Sequence, residues 1–219
     1  MGLYKEGVEQ AKEASEISER LGETASQAKC LMDLAWLMHD DEQLDTAEEA
    51  ASRALGLLPE KGRQSQVCDG HRVLGRIYHS KGDTEKAIHH FEVALGIASS
   101  LNTFSDLFWV HFALAEVFFE EGKFDDAHAH IEHAKSHAAN DAYHLGRAME
   151  LQAGFWCDQR MFDKAKSEAS SAADVYEKIG ATEDTERCRE ILGKIDGELP
   201  GPMLHPALIN YPFVAQGTE

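Results

Sequence analysis

The chain has 219 residues, with 39 Asp+Glu set against 21 Lys+Arg, so its formal net charge is −18 while its 12 histidines are neutral. A surface that binds nucleic acid or an anionic membrane needs clustered lysine and arginine to displace counterions from phosphate, and this balance excludes both as natural partners. With 43% hydrophobic residues the chain has enough apolar material for a core and is not a disordered acidic tail.

The first ten residues, MGLYKEGVEQ, lack the basic-then-apolar pattern of a secretory signal, and Glu6 stands where a myristoylation motif carries Ser or Thr. The longest apolar run, Val110 to Phe119, is interrupted by His111 and Glu116 and is too short to span a bilayer. Cys30, Cys68, Cys157 and Cys188 lie far apart with no CxxC, which predicts reduced thiols in a soluble, cytoplasmic protein.

Taken in chain order, Gly7, Ala11 and Ala14 predict a first helix over Tyr4 to Leu21. Apolar positions then recur at i, i+3, i+4 and i+7, as in Leu31, Leu34, Ala35, Met38 and again in His71, Leu74, Gly75, Tyr78. Pro59 is the only proline before residue 200, so helices run to about Asp196, whereas Pro200, Pro202, Pro206 and Pro212 keep the end of the chain out of a helix. The expectation is an all-α body with an extended tail.

That body repeats itself. LGRIYHSKGDTEKAIHHFEVAL (74–95) superimposes on LAEVFFEEGKFDDAHAHIEHAK (114–135), and the same frame recovers 34–55 and 152–173. Ala47, Ala87, Ala127 and Ala165 fall at the same junction of each copy, at steps of 40, 40 and 38 residues. A small residue there lets two helices cross closely. The second copy carries Leu74, Gly75, Tyr78, Gly82, Ala87, Phe91 and Ala94, and this pattern resembles the tetratricopeptide (TPR) repeat, with His71 where the family has Trp and Ser99 where it has a late Pro. The resemblance implies a right-handed solenoid of antiparallel helix pairs, its first helices lining a concave groove. It divides the chain into a helical array over 1–196 (partial repeat 1–22, repeats 23–60, 63–101, 103–140 and 143–180, capping helix 183–196) and a Pro-rich apolar tail over 197–219. The period of about 40 exceeds the family's usual 34, as in arrays attached to signalling ATPases or found in motor-adaptor proteins. Because the array opens on a second helix without its first, the chain is expected to be a piece of a longer protein.

Catalytic signatures are missing: there is no GxSxG, Walker A loop, GxGxxG or HExxH. The chain is therefore expected to be no enzyme and to need no cofactor. His128, His130, His133 and His137 share one second helix, and His130, His133 and His137 form a stripe at i, i+3, i+7. Two-histidine chelation of a transition metal fits that spacing. The positions fall on the convex, solvated face and no Cys or carboxylate triad completes a site, so no metal is assigned.

In the TPR family the second, fifth, ninth and twelfth positions of each first helix face the groove. Here they are Lys29, Met32, Trp36, His39; Asp69, Arg72, Arg76, His79; Trp109, Phe112, Glu116, Phe119; and Arg147, Glu150, Gly154, Cys157. The Lys/Asn set with which chaperone-binding members clamp a terminal carboxylate is missing. Met32, Trp36, Trp109, Phe112 and Phe119, with Arg72 and Arg76 between them and Glu116 alongside, form an apolar groove for a protein or peptide partner. The alternative is that some of these aromatics fill the core between repeats. The tail carries Leu204, Leu208, Tyr211 and Phe213, too apolar for a solvated linker, and is expected to act as a pseudo-ligand for the groove, in the same chain or by self-association. The function that follows is a protein-interaction scaffold, with a regulatory array cut from a larger signalling ATPase or transcription regulator as the other reading.

Overall fold

The structure, a computed structural model, describes residues 2–58, 62–138 and 141–197, with side chains from Glu6 onward. The tail from residue 198, with Leu204, Leu208, Tyr211 and Phe213, lies outside the described residues. The fold is all-α: the described residues form α1 (Gly2–Leu21), α2 (Thr24–Asp40), α3 (Leu44–Leu57), α4 (Gln64–Ser80), α5 (Thr84–Leu101), α6 (Phe104–Glu120), α7 (Phe124–His137), α8 (Ala142–Asp158), α9 (Phe162–Ile179) and α10 (Thr182–Asp196). Among them no helix is long and apolar enough to cross a membrane. The chain divides into two compact units between Asp106 and Leu107, in the first turn of α6.

Each helix pair is closed by the same device. The turns α2–α3, α4–α5, α6–α7 and α8–α9 each have three residues (41–43, 81–83, 121–123 and 159–161), the middle one left-handed: Glu42 (φ 59°), Gly82 (75°), Gly122 (73°) and Arg160 (59°). That conformation lets two backbone N–H groups reach back to the carbonyls of the last helical turn. Gln43 N–H donates to Met38 and Glu42 N–H to His39; Asp83 to Tyr78 and Gly82 to His79; Lys123 to Phe118 and Gly122 to Phe119; Met161 to Trp156 and Arg160 to Cys157, all at 2.8–3.0 Å. These are Schellman closures, which satisfy carbonyls that a helix end otherwise leaves open. By contrast, the links from a second helix to the next first helix vary from two residues (22–23, 102–103, 180–181) to four (138–141) and six (58–63).

In the first unit, α1–α4 bury Val8, Leu31, Leu34, Ala35, Met38, Ala51, Ala54, Val73, Leu74 and Ile77 in one cluster. Ala47 and Ala87 are wholly buried, as the close-crossing argument requires. Gly75 serves the same purpose between α4 and α5: a Cβ there would stand 2.6 Å from the Phe91 ring, so only glycine admits that ring. A polar clamp joins α3 to α4. Lys81 pairs with Asp45 at 2.6 Å and with Glu48, whose carboxylate also accepts from the Tyr78 hydroxyl at 2.7 Å.

In the second unit the core is aromatic. Phe108, Phe112, Phe119 and Phe155 pack with Ala127, Ile131, Ala134, Ala148 and Leu151, and the rings of Phe119 and Phe155 stack at 4.0 Å with 3° between planes. Towards the C-terminal end Ala165, Ala169 and Ile191 form one cluster and Ala172, Tyr176 and Cys188 another, so α10 is docked through Cys188 and Ile191 on α9. Gly146 admits the Tyr176 ring as Gly75 admits Phe91, a Cβ there standing 2.7 Å from it.

Candidate partner-binding surface

In the first unit Trp36 of α2 and Arg72 of α4 meet across adjacent repeats. The Arg72 guanidinium lies 5.4 Å from the centroid of the Trp36 ring and donates to Asp69 at 3.0 Å, one turn earlier on α4. A cation over an indole face is held electrostatically, and the aspartate fixes its plane. His39 stands edge-on to Trp36 at 5.9 Å and is hydrogen-bonded to the Ser80 hydroxyl at 2.9 Å. Trp36, Arg72 and Arg76 are all partly exposed, the Arg72 side chain only to 13%. Around them lie Asp33 and Asp106. Burial is the chief cause that raises both carboxyls above the ordinary carboxylate range, and Asp69 adds to it in each case. Met32 is not part of this surface. It is buried, its terminal methyl 2.9 Å from where a Cβ on Gly70 would stand.

In the second unit only Trp109 of the expected anchors keeps an exposed edge. It packs edge-on against Phe108 at 5.0 Å, Phe112 at 5.9 Å and His144 at 5.1 Å, and the Arg147 guanidinium lies 5.6 Å from its ring centroid. Phe112, Glu116 and Phe119 are buried, which corrects their assignment to an open groove. The physical reason is volume. Where alanines stand at the helix crossings, large rings must fill the space between successive first helices, and the Phe119–Phe155 stack does so. Of the eight residues expected in the groove, Trp36, Arg72, Arg76 and Trp109 therefore retain exposed surface.

The histidines also differ from expectation. His130 is half-buried rather than solvated, and its Nδ1 is 2.9 Å from Nδ1 of His111, a buried residue of α6. The His111 ring in turn stacks on His133 at 4.9 Å and on His137 at 5.7 Å. The His111, His133 and His137 rings thus meet face to face, while His130 meets His111 through the paired nitrogens. Among the described residues no group of three or more His, Cys, Asp or Glu side chains is arranged to hold a metal ion. Micromolar zinc or nickel is accordingly expected to leave the melting temperature unchanged, since native-state binding would raise it by mass action. A clear rise would show that the stripe rearranges into a site.

A family model described as soluble NSF attachment protein, SNAP, matches residues 3–145, more than half of the chain. The chain belongs to the SNAP family. No curated protein matches it significantly. Among solved structures it is similar to BtubC (BKLC) from P. vanneervenii, at 17% identity and a TM-score of 0.68 over 91% of this chain and 94% of that one. It is similar to a putative kinesin light chain from P. anserina with nearly identical TPR-like repeats, at 16% identity and a TM-score of 0.63 over 82% and 90% of the two chains. A third is a Rap protein complexed with Competence and Sporulation Factor, at 16% identity and a TM-score of 0.63 over 87% of this chain but 58% of that one. At these identities the likeness establishes the fold, a TPR-like helical repeat.

The SNAP match ends at Leu145, in the first turn of α8, so α9 and α10 lie beyond it. Their side chains Tyr176 and Arg187 bind the most buried charged residue of the second unit, which stands on α8. Glu150, placed by the TPR pattern in the groove, is instead buried, accepting from the Tyr176 hydroxyl at 3.0 Å and from Arg187 of α10 at 2.9 and 3.1 Å. Arg187 also pairs with Asp184. Nothing in the sequence periodicity marks this pairing, because its two members are 37 residues apart on helices of different repeats.

Proposed function

We propose that this SNAP-family chain is a non-enzymatic interaction scaffold that binds a protein or peptide partner through exposed aromatic–arginine anchors on its first helices. The observation that carries this reading is the Trp36–Arg72 pair. Asp69 fixes the Arg72 guanidinium beside the Trp36 ring, both side chains keep part of their surface exposed, and these are the residue types that dominate binding hot spots. Trp109, backed by Arg147, is the corresponding anchor of the second unit. The family is named for attachment to NSF, which makes a protein of that kind the first partner to test. A regulatory array joined to a larger protein is the second reading, favoured by the likeness to a Rap protein of which this chain spans 58%.

The test is a partner captured by affinity, purified, and measured against wild type, Trp36→Ala and Trp109→Ala in parallel. Loss of a central indole anchor is expected to weaken binding by about thirtyfold, the equivalent of about 2 kcal/mol. Unchanged affinity in both variants, with their folds intact by circular dichroism, would remove these side chains from the interface.

A further inference from the structure

The His111–His130 contact is built twice. In the first unit His71 of α4 and His90 of α5 bring their Nδ1 atoms to the same 2.9 Å, and each member stands 40 residues before its counterpart. The aromatic support is repeated as well: the His90 ring lies on Tyr78 at 5.3 Å with 14° between planes, and the His130 ring lies on Phe118 at 5.2 Å with 18°. Each pair ties the first helix of a repeat to its second helix, within one unit. We propose that these two histidine pairs make helix packing in both units acid-sensitive, each being a latch that holds when its rings are neutral and opens as they take up protons.

The chemistry lies in the shared hydrogen bond. Two Nδ1 atoms in contact need one ring to carry the proton there and the other to keep its lone pair. One added proton leaves an imidazolium that can still donate, at the cost of a half-buried charge. A second sets two N–H groups against each other, and no bond remains. The surroundings oppose loading. Facing the first pair are His89 and Lys86 of α5, with Glu48 of α3 as the carboxylate, itself engaged by Lys81 and the Tyr78 hydroxyl. Facing the second are His133 and His137 of α7, with Asp126 as the carboxylate. Burial first, and then the neighbouring imidazoles, pushes His90 and His111 down to about 4, and burial likewise lowers His71 and His130.

The sign follows from linkage. Above about 6.5, the value of an unfolded histidine, neither state holds the proton and the latches contribute fully. As the pH falls from there towards 4 the unfolded chain takes up protons that the folded pairs refuse, so stability declines, by up to about tenfold in the unfolding constant per pH unit for each imidazole held neutral. Asp45, Glu48 and Asp83 are held below their ordinary values by Lys81 and Lys86, so at the acid end of this window they add to the loss. Asp33 and Asp106 are raised and partly offset the loss only at its acid end. This reverses the expectation for a solvated histidine stripe, where protonation would merely relieve repulsion on an acidic surface.

The experiment is an NMR titration of the imidazole resonances in the intact chain, with urea unfolding at pH 7 and pH 5. His71, His90, His111 and His130 are expected to titrate below the histidines of the urea-unfolded chain, and the unfolding constant to rise at least tenfold between the two pH values. The double variant His71→Asn, His111→Asn, which replaces a titrating partner in each pair with a neutral amide, is expected to lose part of that dependence. Titration of the four rings near 6.5 in the folded chain, or an undiminished pH dependence in the double variant, would overturn the proposal. Should the variant fail to fold, the wild-type titration decides.

Discussion

Replacing Ala127 with arginine is expected to destabilise the second unit by several kcal/mol. Ala127 is wholly buried in the cluster of Phe119, Ile131, Ala134, Ala148 and Phe155, at the crossing where α7 turns back along α6. A long side chain there forces the helices apart, and overpacking alone costs about 1–3 kcal/mol. The guanidinium adds the larger penalty of a charge among alanines and phenylalanines, since the nearest acids along the chain, Asp125 and Asp126, are exposed. Urea unfolding followed by circular dichroism measures the sum. A wild-type midpoint would mean that position 127 is not at a helix crossing.

Glu150→Ala is expected to cost about 3–5 kcal/mol, the range for breaking a buried ion pair by removing one partner. The carboxylate is held by three hydrogen bonds, from the Tyr176 hydroxyl and from two nitrogens of Arg187, and its loss strands a buried phenol as well as a guanidinium. Asp184 remains beside Arg187 and absorbs part of the loss. Glu150→Gln, which keeps the shape and drops the charge, should fall between wild type and the alanine variant. Thermal melting of the three proteins checks this order, and an alanine variant that melts with wild type would show that α10 is docked by its apolar residues alone.

The helical-repeat fold was legible because its determinants are local and periodic. Alanines at 47, 87, 127 and 165 recur in register, glycine stands at 75 where a ring must enter, and the prolines gather past residue 199. What the period does not carry is the rotation of each first helix about its own axis. Met32, Phe112, Glu116 and Phe119 share the spacing of Trp36 and Trp109, yet the former four point inward and the tryptophans keep an exposed edge. Side-chain bulk does not decide between them, since the partly exposed tryptophans are the largest of the six; a ring that can stack on the next repeat, as Phe119 does on Phe155, is drawn into the seam. The histidine pairs escaped for another reason. His71 and His90 are 19 residues apart, as are His111 and His130, a separation set by helix pairing and invisible to helical periodicity. The legible signal was that both members of each pair recur after 40 residues.

The contrast between the two kinds of connection governs how such a chain can change over evolutionary time. Turns inside a helix pair are tied at three residues by a left-handed centre and two return hydrogen bonds, so a single inserted residue would displace that centre and break both bonds. Links between successive pairs already run from two residues to six in this one chain. Drift in length, and any new segment acquired between repeats, should therefore accumulate at the ends where second helices hand over to first ones. Opposite ends of the same helices then have different histories, one holding its length while the other diversifies.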